Sequence, residues 1–312
     1  MKSIAIWYKA IDTQQELIQD IELHFNFWKI PNGSKNHIEF LDMGVKISKT
    51  INIEALKLYF PCEVKRENFV DLVENFINRA DLVSAIFNEN YKVVSNPTSK
   101  LYEIKNKDDN HVFDIYKTSS VDITSENNYD GTIFNLKVPQ KDTPVYFRFR
   151  IKGSFIESLR STHKPTNAIL ETAFSEIEMI DFRVNEIRDL NQDLLEKIRT
   201  ENILKIKKQH FFFICSNEEE VIGHHQPFIS CRNLENYRWN DYVGVANLTN
   251  KNYLAYHWKD TDKENSSILI KTKYEKSNWR TIVRYSILAL IIAVFIELFS
   301  NWLYDIIKIK LG

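Results

Sequence analysis

Apolar residues alternate with polar ones over much of this chain, and near its end the alternation gives way to a continuous apolar run. The clearest alternation is in TPVYFRFRIKGSF, where Val145, Phe147, Phe149 and Ile151 share one side and Tyr146, Arg148, Arg150 and Lys152 the other. Strands are also predicted over residues 4–8, 37–47, 51–60 and 176–187 and in the run HFFFICS. Residues 101–104 and 112–116 flank NKDDNH and read as a hairpin, and residues 253–258 and 268–274 read as a last one. Helical spacing is predicted over residues 13–27, with Leu17, Ile18, Ile21 and Phe25 on one face, and over 67–77, 82–87 and 191–208. Residues 232–242 carry no clear period. The fold class is therefore α+β: a strand-rich body with a few helices over residues 1–278, then an apolar helix and its flanks over 279–312. A boundary near residues 120–145 and one undivided body both fit.

In the terminal run, residues 285–307, 18 of 23 positions are apolar, the exceptions being Ser286, Glu297, Ser300, Asn301 and Asp305. A helix of that length spans roughly 35 Å, enough for a hydrocarbon core of about 30 Å. The stretch free of charge is shorter, residues 285–296, a length that also suits a buried core helix. Three features favour a membrane span. No later residues of this sequence could cover a core helix, aromatic residues flank the run (Trp279 and Tyr285, Trp302 and Tyr304), and basic residues bracket it. Five of these come before (Lys271, Lys273, Lys276, Arg280, Arg284) and two after (Lys308, Lys310), which places the body in the cytoplasm, beneath the cell inner membrane. MKSIAIWYKAIDTQQ has neither an apolar signal core nor a cleavage site, which agrees.

On a helical wheel, Ser286, Leu290, Ala293, Glu297, Ser300, Asn301 and Tyr304 cluster on one side, opposite Leu288, Ile292, Phe295, Phe299, Trp302 and Ile306. A carboxylate at mid-bilayer costs at least about 2.5–3.5 kcal/mol, so it faces a partner helix or water. Three readings follow. Glu297 lines a small cation-permeable pore together with Ser286, Ala293, Asn301 and Asp305; or it joins neighbouring helices through Asn301; or the span starts earlier and Glu297 lies near the headgroups. The first two require self-assembly or another membrane protein.

A net charge of −1 and a pI near 6.7 give no bulk signal for nucleic acid, so a basic site must be local. Three cysteines (Cys62, Cys215, Cys231) with no CxxC pair point to a reducing compartment. Nucleotide P-loop, dinucleotide, nucleophile-elbow and zinc-protease motifs are all missing, which lowers the case for an enzyme or a cofactor. His224-His225 reads as a loop or turn and Cys215 as a small buried residue. The strongest candidate binding surface is Arg148, Arg150 and Lys152 on one strand face, with Tyr146 to stack a base and Arg160, His163 and Lys164 shortly after. It suits a nucleotide or short oligonucleotide; it also suits a solvated face paired with acids such as Glu176 and Glu178. Lys205, Lys207 and Lys208 read as a solvated helix end or a lipid-facing surface.

A body without catalytic motifs and one C-terminal span bearing Glu297 together resemble the membrane effectors of bacterial anti-phage defence, of the CBASS and Hailong kinds. The resemblance covers the layout of the whole chain and brings over no residue assignment. It implies a homo-oligomeric ion channel in the bilayer, controlled by a nucleotide or a DNA oligonucleotide from a partner nucleotidyltransferase. A tail-anchored scaffold and a membrane-tethered hydrolase are the alternative readings.

Overall fold

The structure, a computed structural model, describes residues 3–12, 20–32, 36–95, 100–163, 175–244, 252–275 and 279–311. Among them, nineteen strands form three sheets. The largest has the order β17 (Ser230–Asn233), β18 (Tyr253–Lys263), β15 (Lys205–Ser216), β2 (Asp20–Asn32), β3 (Asn36–Ile47), β11 (Val145–Ile151), β8 (His111–Tyr116), β7 (Leu101–Lys105) and β6 (Lys92–Ser95), and β5 (Phe69–Asp71) also pairs with β11. Within it β15 runs parallel to β2, and β11 to β8. A five-stranded antiparallel sheet has the order β14 (Asn202–Ile203), β1 (Ala5–Ala10), β4 (Ile53–Phe60), β10 (Gly131–Lys137) and β9 (Ile123–Asn128). A four-stranded antiparallel sheet has the order β12 (Arg160–His163), β13 (Ser175–Val184), β19 (Ser266–Glu275) and β16 (Glu219–His224).

Parity along the central strands decides what lies on each face of the large sheet. Ile21, Leu23, Phe25 and Phe27 of β2, with Leu41, Met43 and Val45 of β3 and Phe147 and Phe149 of β11, face the two smaller sheets and form the main core with Leu56, Phe134, Ile180 and Phe182. The opposite face carries Trp28, Phe40, Tyr146 and Ile214. It is covered by three helices, α1 (Val73–Phe76), α2 (Ala80–Phe87) and α5 (Asn236–Val243), which bring Phe76, Leu82, Val83, Trp239 and Tyr242. α3 is a single turn (Ser154–Ser158), and α4 (Gln192–Thr200) lays Leu194 and Ile198 over Trp7 and Tyr59 on the outer face of the five-stranded sheet. Asn191 caps α4 by accepting the Asp193 amide, and α5 ends at Gly244, whose φ of 67° suits glycine.

The α+β class stands, and several expected boundaries move. Residues 20–27 are strand rather than helix: Ile21 and Phe25 are four apart, a spacing that shares a face in either geometry, and DIELHFNF alternates strictly. Leu17 and Ile18 lie outside the described residues. Residues 67–77 divide into a turn, β5 and the short α1, where the Asp71 carboxylate accepts the Val73 amide. The expected helix over 191–208 stops after Thr200, because Glu201 turns in to bind the Trp7 indole and Lys57 at 2.6 Å each, and β15 begins at Lys205. β18 and β19 do not form a hairpin. Residues 264–265 carry the chain from the large sheet to the small one, tied by a Ser266–Asp260 hydrogen bond of 2.8 Å.

β19 leads, through residues 276–278, to α6 (Trp279–Leu311). Over Ile282–Tyr304 this helix is long and apolar enough to cross a membrane, and none of that segment is buried against the body. Ser286, Ala293, Glu297 and Asn301 are exposed in the single chain, and Asp305 lies on the same helix.

Candidate functional site

The helical cover on the large sheet is incomplete, and the part left open is polar. Adjacent strands align His210 of β15, His24 of β2, Gly44 of β3 and Arg148 of β11 in one rung, with Phe212, Asn26, Asp42 and Arg150 in the next. His257 on β18 pairs with Phe212, its ring stacked at 4.1 Å. Gly44 is required by close approach, since a Cβ there would fall 2.1 Å from the Tyr146 hydroxyl. That opening lets the Tyr146 ring cross β3 and meet Arg148.

Arg148 and Arg150 share a face, as the alternation predicts, yet neither is a solvated cation. Arg150 is 4% exposed and donates to both Asp42 oxygens, at 2.7 and 3.0 Å, with Phe40 stacked 3.8 Å from its guanidinium. Its charge is closed by Asp42, which also accepts the Tyr242 hydroxyl at 2.8 Å. Arg148 differs. It is 1% exposed and donates to three neutral oxygens: Tyr242 Oη at 2.6 Å, Tyr146 Oη at 2.7 Å and Asn26 Oδ1 at 3.0 Å. Burial pushes both phenols above their ordinary pKa, so they accept as uncharged hydroxyls. Among the described residues no carboxylate bonds to Arg148, and three of its five N–H groups are used.

Arg148 lines a cavity of about 540 Å³, partly open to solvent and within the range small-molecule sites occupy. The walls carry four cations (Lys46, Arg148, Lys208, Arg232) against two carboxylates (Glu22, Glu89). Glu22 sits between Lys46 at 3.6 Å and Lys208 at 3.4 Å, so one acid serves two ammonium groups. Phe87, Phe113 and Phe212 give flat apolar wall, as does Trp239, whose buried indole N–H has no acceptor among the described residues. His24, His210 and His257 complete the lining. His210 Nδ1 lies 2.9 Å from His257 Nε2, and His24 meets His210 edge-on at 5.2 Å. All three are held below the ordinary histidine range, first by burial and then by neighbouring positive charge; His257 falls to about 4. Among the described residues no group of three or more His, Cys, Asp or Glu is arranged to hold a metal.

Of the residues singled out in the sequence, Arg148 lines the cavity and Tyr146 supports it from below. Lys152 is exposed beyond the end of β11, and Arg160 lies on the opposite face of the large sheet, 2.8 Å from Glu39 and 3.2 Å from Glu178. Lys164 lies outside the described residues. Lys208 belongs to β15 and the cavity, not to a solvated helix end. His24, Asn26, Lys46, His210, Arg232 and His257 had no local mark. The even-numbered register of DIELHFNFWK would have grouped His24 and Asn26, once read as strand.

No family model and no curated protein matches the chain. Among solved structures it is similar to the yeast delta-COP-I mu-homology domain. In complex with a Dsl1 WxWxV peptide that domain aligns at 8% identity over 84% of this chain and 77% of that one, with a TM-score of 0.21. The domain alone aligns at 8% over 85% and 77%, with a TM-score of 0.19. Likeness that loose assigns neither a fold family nor a function.

Proposed function

We propose that this protein is a ligand-controlled membrane effector: the body binds a phosphate-bearing ligand, of the nucleotide or oligonucleotide class, in the Arg148 cavity and thereby controls α6 helices assembled from several copies. The observation that carries this reading is Arg148. A guanidinium that is 1% exposed and, among the described residues, hydrogen-bonded only to neutral groups is costly, and an anion entering the cavity would supply a directly bonded charge. The cation surplus of the walls and their aromatic surface match a phosphate joined to a flat ring. At the other end, Glu297 and Asn301 on the polar side of α6 would line an ion path between copies. β19 connects the two, being held in the sheet that packs beneath β2 and preceding α6 by three residues. The body then lies on the cytoplasmic side of an inner membrane, in keeping with a role in anti-phage defence.

The test is ion flux from liposomes reconstituted with the full chain and with Glu297→Leu. Flux that Glu297→Leu abolishes supports the pore. Undiminished flux in the variant overturns it, and a chain that inserts and oligomerises without flux leaves a scaffold.

A further inference from the structure

Three histidines line the cavity beside its four cations. His210 Nδ1 and His257 Nε2, 2.9 Å apart, share one hydrogen bond, so one nitrogen carries a proton and the other accepts it. Lys208 flanks His210 on β15, Lys259 faces it from β18, and Arg232 approaches His257 from β17. β2 adds His24 and the one nearby acid, Glu22; Lys46 and Arg148 complete the ring from β3 and β11, and Glu89 is the acid beyond α2. The helices over this end otherwise contribute apolar wall: Phe87 and Trp239. With four cations and two carboxylates on the walls, a further positive charge on imidazole is opposed while the cavity holds no anion.

We infer that the cavity takes a tetrahedral dianion together with a proton, the proton being accepted by the His210–His257 pair. This rests on the Arg148 cavity being the anion site. A phosphoryl or sulfuryl group near Arg148 offsets the cation surplus and, with it, the repulsion that adds to burial in keeping both rings neutral. The proton comes from solvent: hydronium or a buffer acid gives it up as the imidazole N–H forms, and no other bond is made or broken. Affinity then rises as pH falls below the histidine range of the complex, and levels off once the unliganded rings are themselves protonated. A dianion is preferred over a phosphodiester monoanion, because one negative charge offsets half the surplus.

Sulfate is the probe, since its charge stays constant from about pH 5 to pH 8 while imidazole titrates. The full chain in nanodiscs is titrated calorimetrically in buffers of different protonation heat. Full uptake of one proton changes affinity about tenfold per pH unit. The expected result is at least about threefold tighter binding per unit of acidification, with net proton uptake; His257→Gln and His210→Gln each flatten that slope, and Arg148→Gln loses binding at every pH. Sulfate binding with no proton uptake overturns the proton linkage and leaves the anion site standing. Sulfate binding that survives Arg148→Gln, or no binding at all, overturns both.

Discussion

Two buried cations on opposite faces of the large sheet are treated in opposite ways. Lys29, on β2, is fully buried and touches Glu178 at 2.5 Å and Glu219 at 2.7 Å, with the Tyr274 ring 4.2 Å away. Glu39 and Arg160 extend this cluster to three acids and two cations. Burial pushes the Glu39 carboxyl up to about 7, so its protonated form balances the set near neutrality. Arg148, one rung from Asn26 on the same β2, has neutral partners and a cavity instead. The Lys29 cluster is closed and internally balanced, a clamp between the large sheet and the sheet that leads to α6. Arg148 is open and in surplus. The first charge is satisfied within its own chain; the second has neutral partners beside open space, and the proposed binding role rests on that difference.

That contrast can be broken from either side. Lys29→Met has the largest expected effect on stability. It leaves Glu178 and Glu219 buried without their cation, at a cost of about 3–5 kcal/mol by chemical unfolding in detergent. Gly44→Ala comes next: its Cβ meets the Tyr146 hydroxyl, costing about 1–3 kcal/mol. It should also weaken sulfate binding, since Arg148 loses a fixed acceptor. Arg148→Gln should change stability by less than about 1.5 kcal/mol, because it removes an unbalanced charge along with its hydrogen bonds, and yet abolish binding. A collapse as large as that of Lys29→Met would make the two cations alike and erase the distinction.

A further effect is in pH dependence, where the two faces act with opposite sign. The folded pKa of Glu39 is raised from 4.5 to about 7, so its stabilising contribution is full below 4.5 and is lost as pH climbs to 7. His257 is lowered from 6.5 to about 4, so its contribution is full above 6.5 and is lost as pH drops towards 4. Unfolding midpoints of Glu39→Gln should therefore fall less than the parent's between pH 4.5 and 7, and those of His257→Gln should fall less between 6.5 and 4. A Glu39→Gln curve parallel to the parent's would take Glu39 out of the clamp's charge balance.

Elements with one dominant period were legible along the chain. β3, β4, β11 and β13 lie close to their expected bounds, and the apolar run forms a helix of which, among the described residues, Ile282–Tyr304 is not buried against the body. β2 was missed because Ile21 and Phe25 satisfy both periods, and the β18–β19 pairing because two strands adjacent in sequence can belong to different sheets. Half of the site was visible in VYFRFRIK, where Tyr146, Arg148 and Arg150 do share a face. The other half was not, since His24, Lys46, Lys208, His210, Arg232 and His257 come from five strands and meet only through register.

By itself the sequence determined the α+β class, the polar face of β11 and the length and apolarity of the terminal helix. These depend on local period and composition, which any window of the chain displays. Only the tertiary structure decided that Arg150 is closed by Asp42 while Arg148 opens on a cavity. The two arginines are identical in local pattern, and what separates them is which oxygen the neighbouring strand and α5 place within hydrogen-bond reach.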